Sequence, residues 1–106
     1  MRTDCGALDG QVRRLQEMLR RCALCPRKCG VNRAVGERGY CALDHRIVLS
    51  HALPHHGEEP PLSGNRGAGA VFFSSCNLQC IYCQNHQISH TLRGRCVGAA
   101  ELAGLM

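Results

Sequence analysis

The sequence contains no tryptophan, and aromatic residues fill only 4% of its 106 positions. Large aromatic side chains dominate most cores, so the core this segment can build alone is thin. Metal, a partner or further chain is expected to complete it. No apolar run approaches the roughly 20 residues of a membrane-spanning helix, and no membrane association is expected. The stretch Met1–Gly10 is mixed and polar and lacks the apolar centre of a secretory signal. The chain is also too short for a full (β/α)8 barrel, which takes roughly 250 residues. It suits one small domain. Hydrophobic residues make up 44% of the chain, which excludes a disordered tail. The formal charge of +5 permits an acidic or phosphate-bearing partner. Arg and Lys are scattered rather than striped, so nucleic acid is not an expected partner.

Cysteine is what the sequence has in excess, with nine residues. An odd number argues against a closed disulfide framework. Clustered cysteines without a secretory signal suit a reducing compartment, the cytoplasm, and metal or redox chemistry.

The pattern along the chain is uneven. Val12, Leu15, Met18 and Leu19 recur at helical spacing, which predicts a packing helix over residues 10–21 with Asp9 as its N-cap. Residues 22–41 are a turn-rich knuckle in which Pro26, Gly30, Gly36 and Gly39 punctuate four cysteines. Residues 46–52 read as a strand centred on Ile47, Val48 and Leu49. Residues 54–69 read as a Pro- and Gly-rich loop. The apolar run AVFFS, residues 70–74, reads as a buried strand. Residues 84–98 read as irregular loop. Residues 99–106 begin a helix with Gly98 at its N-cap, and the pattern stops without a C-terminal signal. The expected division is a helix at 1–21, a four-cysteine metal-binding module with its connecting loop at 22–60, and the start of a further α/β domain at 61–106. On this reading the last domain is truncated. Its lone strand, with both edges unpaired, would leave residues 70–73 exposed.

Two cysteine sets carry the chemistry. Cys76, Cys80 and Cys83 follow the apolar run in the spacing C-x3-C-x2-C. Soft thiolates select iron–sulfur clusters, zinc or copper(I). Structural zinc sites are mostly four-coordinate, and this loop offers three close thiolates. Three thiolates on a four-iron cube leave one iron open for a substrate or cofactor. Cys22, Cys25, Cys29 and Cys41 form the second set, C-x2-C-x3-C-x11-C. Four thiolates close a zinc site or hold an iron–sulfur cluster, and spacing leaves both open. Cys5 and Cys96 have no partners at ligand spacing and read as spare thiols. The string His55-His56-Gly57-Glu58-Glu59 offers ligands or acid–base groups, although such residues more often sit in a solvated turn. His86 and His90 read as solvated loop residues.

The motif CNLQCIYC, with an aromatic before its last cysteine, resembles the signature of the radical S-adenosylmethionine (SAM) superfamily. GAGAVFFSSCNLQCIYCQN, followed by VGAAELAGLM, resembles the opening strand, cluster loop and first helix of pyruvate formate-lyase activating enzymes. CALCPRKCGVNRAVGERGYC, HHGEEPPLSG and CNLQCIYCQNHQIS together resemble the activating-enzyme-like group labelled PflX. The resemblance covers roughly residues 20–106. It implies an α/β fold, the first strand, cluster loop and first helix of a partial (β/α) barrel behind a cysteine-rich module. It implies a 4Fe–4S cluster on Cys76, Cys80 and Cys83, with SAM on the open iron and Tyr82 against the adenine. It implies reductive cleavage of SAM to a 5′-deoxyadenosyl radical, an oxidoreductase-class activity of the activating-enzyme type. An electron donor such as flavodoxin or ferredoxin and a protein substrate are its implied partners. Members carry a Gly-Gly-Glu segment after the first helix, and this sequence ends before it, so the segment alone is expected to be inactive. The rival reading is a binding module of two zinc knuckles that recognises RNA or protein.

Overall fold

The computed structural model describes the backbone from Cys5 to Met106 and the side chains from Leu8 onward. Internal contacts divide the chain into two units, Met1–His45 and Arg46–Met106.

The first unit opens with helix α1, Cys5–Met18, which tightens into a 3-10 turn at Leu19–Arg21. The helix starts earlier than its pattern predicts, and Asp9 lies inside it rather than at its cap. Leu8, Val12 and Leu15 continue the same stripe at i, i+4 and i+7, and an interior Asp costs only a few tenths of a kcal/mol. That stripe remains largely exposed at Leu8, Val12, Leu15 and Met18, so α1 is not the packed helix the sequence suggests. The knuckle follows, with a second 3-10 turn at Arg33–Val35. Gly36 caps that turn in the left-handed region, where glycine has no Cβ penalty.

The second unit is a three-stranded antiparallel sheet of order β2-β1-β3. Strand β1 spans Ile47–His55, β2 spans Ala68–Phe73 and β3 spans Arg95–Val97. β1 runs three residues past its expected end, through Pro54. Proline lacks the N–H a central strand needs on both sides. β3 covers only Ile47–Leu49, so Pro54 pairs on one side alone, with Gly69. Leu49, 2% exposed, sits where all three strands meet, opposite Phe73 and Arg95. Val97 is also buried, and His51 stacks on Phe72 with ring centroids 4.5 Å apart.

Several expectations change here. Of the run 70–74, residues 70–72 are half-buried, Phe73 is exposed and Ser74 alone is buried, and the run is not a lone strand, because β2 pairs along its length with β1. That pairing draws residues 46–60 into the same unit as 61–106, so the boundary falls at His45 rather than at residue 60. Both strand pairings among the described residues are antiparallel, and the parallel pair of a (β/α) barrel is not among them. A parallel return needs a crossover of a dozen or more residues, usually helical. The β1–β2 connection holds only the four-residue helix α2, Pro60–Ser63. The expected loop at 84–98 contains helix α3, His86–Ser89, and β3. Helix α4, Ala99–Leu105, starts at the expected Gly98 cap. Among the described residues no helix is long and apolar enough to cross a membrane.

Candidate functional site

The loop 75–85 leaves the end of β2 and enters α3. Ser74, almost fully buried, anchors its start. Its amide donates to Val48 O at 2.9 Å, and its hydroxyl donates to Arg93 O. The Ser75 amide donates to Ile88 O at 2.7 Å, tying the loop's entrance to α3. Ser75 and Gln79 have positive φ, 70° and 50°, which turns the backbone sharply on either side of Cys76. The amides of Gln79 and Leu78 then point at Cys76 Sγ, the latter at 3.4 Å. These amides outweigh burial and hold the Cys76 thiol below its ordinary value. The Cys83 amide donates to Cys80 O at 3.1 Å, and Ser89 Oγ donates to Cys83 Sγ at 3.2 Å. Two of the three sulfurs thus already receive hydrogen bonds of the kind that stabilise anionic ligands.

The outer surface of this loop is apolar and open. Ile81 is 94% exposed, Tyr82 is 86% exposed, and Leu78 is exposed beside them. Tyr82 is therefore not a core aromatic beside the strand. Cys76, Cys80 and Cys83 are half-buried, and all eight cysteines from Cys22 to Cys96 are free thiols. Among the described residues no three His, Cys, Asp or Glu side chains stand close enough to hold a metal ready-made. The loop supplies three thiols on one short turn without gathering them into a single group.

The knuckle is built differently. The Cys22 amide donates to Val31 O at 3.0 Å, and the Gly30 amide donates to Cys22 O at 2.9 Å. These two bonds close a loop that contains Cys25 and Cys29. Within it the Lys28 amide donates to Cys25 O at 3.0 Å. Arg27 lies 3.6 Å from the centre of the Tyr40 ring, linking the turn's tip to the returning chain. Arg33, 5% exposed, reaches back with Nε donating to Cys22 Sγ at 2.9 Å and Nη2 donating to Cys29 Sγ at 3.5 Å. It also hydrogen-bonds Cys41, and Nη1 donates to Leu43 O. Burial pushes the Cys22 thiol up, but the Arg33 bond, the Leu24 amide and the guanidinium charge outweigh it and hold the thiol low. Burial likewise works against the Arg33 charge, and the Cys22 and Cys41 sulfurs more than compensate.

Arg33 was not legible as a site residue. The one signal for it was compositional, a basic spacer inside a cysteine set that needs positive charge nearby. Ser89, the donor to Cys83, stood in a segment read as loop. In the HHGEE string, His55 Nε2 lies 3.7 Å from Glu58 Oε1, both half in solvent, and among the described residues no third His, Cys, Asp or Glu joins them. His86 opens α3, its amide donating to Cys83 O, and His90 caps it; both side chains are exposed. Cys96 is exposed on β3. The side chain of Cys5 lies outside the described residues. A cleft of about 450 Å³ in the first unit is bounded by Arg13, Arg20 and His45, and no cysteine lines it.

The chain is similar to an uncharacterized protein of Methanocaldococcus jannaschii, with 35% identity over 82 residues. The shared stretch is 77% of this chain and 23% of that protein, so the chain spans under a quarter of its relative's length. No family model and no solved structure matches the chain.

Proposed function

We propose that the chain is the cluster-bearing segment of a radical SAM iron–sulfur protein of the activating-enzyme type. The observation that carries the reading is the loop 76–83. It places three thiols on one tight turn at the end of β2, points amide and hydroxyl donors at two of them, and leaves the Tyr82 ring exposed next in sequence to Cys83. The donor set fits a 4Fe–4S cluster, because thiolates are its ligands and donors to sulfur stabilise the charge they carry.

Cys76, Cys80 and Cys83 would hold the cluster, leaving one iron without a protein ligand. A cluster bound there supplies the single electron that breaks the sulfonium–carbon bond of SAM. The protein's own part is position and exclusion of water. Tyr82 offers a flat face for the adenine, and Leu78 and Ile81 provide an apolar rim. Ser89 holds the Cys83 sulfur from behind by its hydroxyl. An electron donor such as flavodoxin or ferredoxin and a protein substrate complete the proposed system, in the cytoplasm.

Anaerobic loading with iron and sulfide tests the reading. The chain should turn brown with about four irons bound through this loop. The electron paramagnetic resonance spectrum of the reduced cluster should change when SAM is added. Replacing Cys76, Cys80 and Cys83 together by Ala should abolish both. A triple variant that keeps full iron and sulfide content would defeat the assignment.

A further inference from the structure

Arg33 is nearly fully buried, and burying a guanidinium is costly unless an opposite charge answers it. It turns to sulfur, contacting Cys22 and Cys29 directly and hydrogen-bonding Cys41. Those three cysteines are far apart in sequence, and the fold brings each to the same cation by a separate device. The paired backbone of Cys22 with Gly30 and Val31 folds Cys29 back towards Cys22. Gly39 then lets the returning chain pass against Cys29. A Cβ at position 39 would stand 2.5 Å from Cys29 Sγ and 2.7 Å from Arg33 Nη2. Cys41 follows two residues later. The fourth cysteine, Cys25, lies within the loop that the Cys22 pairing closes.

We propose that Cys22, Cys25, Cys29 and Cys41 bind a single zinc ion, and that Arg33 is the built-in counter-charge of that centre. Four thiolates on a divalent ion leave a net charge of −2. A buried dianion needs a cation beside it, and the guanidinium already donates to the ligand sulfurs. The sulfurs do not stand as a ready-made group of three, so the ion draws them together, and the contact between Cys22 and Cys29 suits a lone ion. Cys22 and Cys29 hydrogen-bond each other and share one guanidinium. Zinc–sulfur bonds of about 2.3 Å put the corners of a tetrahedron roughly 3.8 Å apart, the separation of hydrogen-bonded sulfurs. A four-iron cube carries each thiolate on a different corner and spreads the sulfurs further. Beside Cys29 the packing is already tight, with Gly39 and Arg33 Nη2 both against its sulfur. The proposal uses different residues from the loop at 76–83 and holds whether or not that loop binds a cluster.

The test is metal analysis of the whole chain prepared in medium containing both zinc and iron. One zinc per chain is expected, retained when Cys76, Cys80 and Cys83 are all Ala and lost when Cys22 and Cys41 are both Ser. The second variant can fail to fold, so the wild-type chain is also loaded with cobalt(II) alone. The intense visible bands of a tetrahedral tetrathiolate cobalt centre are expected. Chelator competition then measures the part played by Arg33. Arg33→Gln should weaken zinc binding roughly 10- to 100-fold, the range found for groups that hold metal ligands. Arg33→Lys should recover part of that loss, because it keeps the charge without the fork. Iron with acid-labile sulfide in the Cys76/Cys80/Cys83 variant, or cobalt spectra of octahedral type, would overturn the zinc site. Equal zinc affinity in wild type and Arg33→Gln would overturn the role of Arg33.

Discussion

At the scale of single residues, glycines separate space from conformation. Gly39 has ordinary φ, yet a methyl group there would press on both Cys29 Sγ and Arg33 Nη2. Gly39→Ala should therefore destabilise the chain by about 1–3 kcal/mol, the cost of overpacking. Gly10 lies within α1, and a Cβ there meets nothing within 4 Å. Gly10→Ala should stabilise the helix by roughly 0.5–1 kcal/mol. Denaturant unfolding of both variants checks the pair, and equal shifts of one sign would refute the steric reading of position 39. Tyr82 gives a different kind of test. It is too exposed to carry folding energy, so Tyr82→Ala should leave unfolding unchanged. On the proposed function it should weaken SAM binding by about 1–3 kcal/mol, the scale of a lost base–aromatic stack. Titration calorimetry on the cluster-loaded protein reads this directly, and unchanged affinity would remove Tyr82 from the site. The cysteines were legible as ligand candidates because their spacing is local and their chemistry is specific. Arg33 was not, because its role depends on the backbone bonds that fold the knuckle over it.

At the scale of elements, the sheet organises the second unit around Leu49. That residue faces Phe73 on one neighbour and Arg95 on the other, and it is the most buried leucine in the chain. Leu49→Ala should cost about 2–5 kcal/mol, whereas Leu62→Ala, at an exposed position in α2, should cost under about 0.5 kcal/mol. Urea unfolding curves of the two variants decide this, and similar midpoints would mean that Leu49 is not the centre of the sheet. Strands β1 and β2 were visible in the sequence because Val, Ile, Leu and Phe runs bounded by Gly and Pro have few other uses. Their antiparallel pairing was not visible. It depends on register, which Leu49–Phe73 and His55–Ala68 set across a connection whose only helix is the four-residue α2. Helix α3 and strand β3 were missed for a plainer reason: at four and three residues they are too short to show a period.

At the scale of the whole molecule, the two units draw on different sources of stability. Among the described residues the buried apolar side chains are Cys22, Leu49 and Val97. The second unit holds two of them and adds a ladder between β1 and β2, interrupted by one register shift between Leu49 and His51. The first unit buries Cys22 and Arg33, while the apolar stripe of α1 stays exposed. A knuckle with so little apolar burial needs a staple, and thiolate ligation is one, because the free energy of metal binding becomes free energy of folding. Metal removal should then act on one unit and spare the other. Native-state hydrogen exchange offers two reporters with defined bonds in the first unit, the Cys22 amide on Val31 O and the Gly30 amide on Cys22 O. The Ser74 amide on Val48 O reports on the second. With zinc bound, all three should be protected. After chelation, Cys22 and Gly30 should exchange at least 100-fold faster, since ligation in zinc-finger peptides is worth on the order of 10 kcal/mol and only a few of these are needed. Ser74 should keep its rate, because its partners belong to the sheet and no metal enters them. Unchanged exchange at Cys22 and Gly30 after chelation would mean that the knuckle folds without its ion. Parallel acceleration at Ser74 would mean that the two units unfold as one.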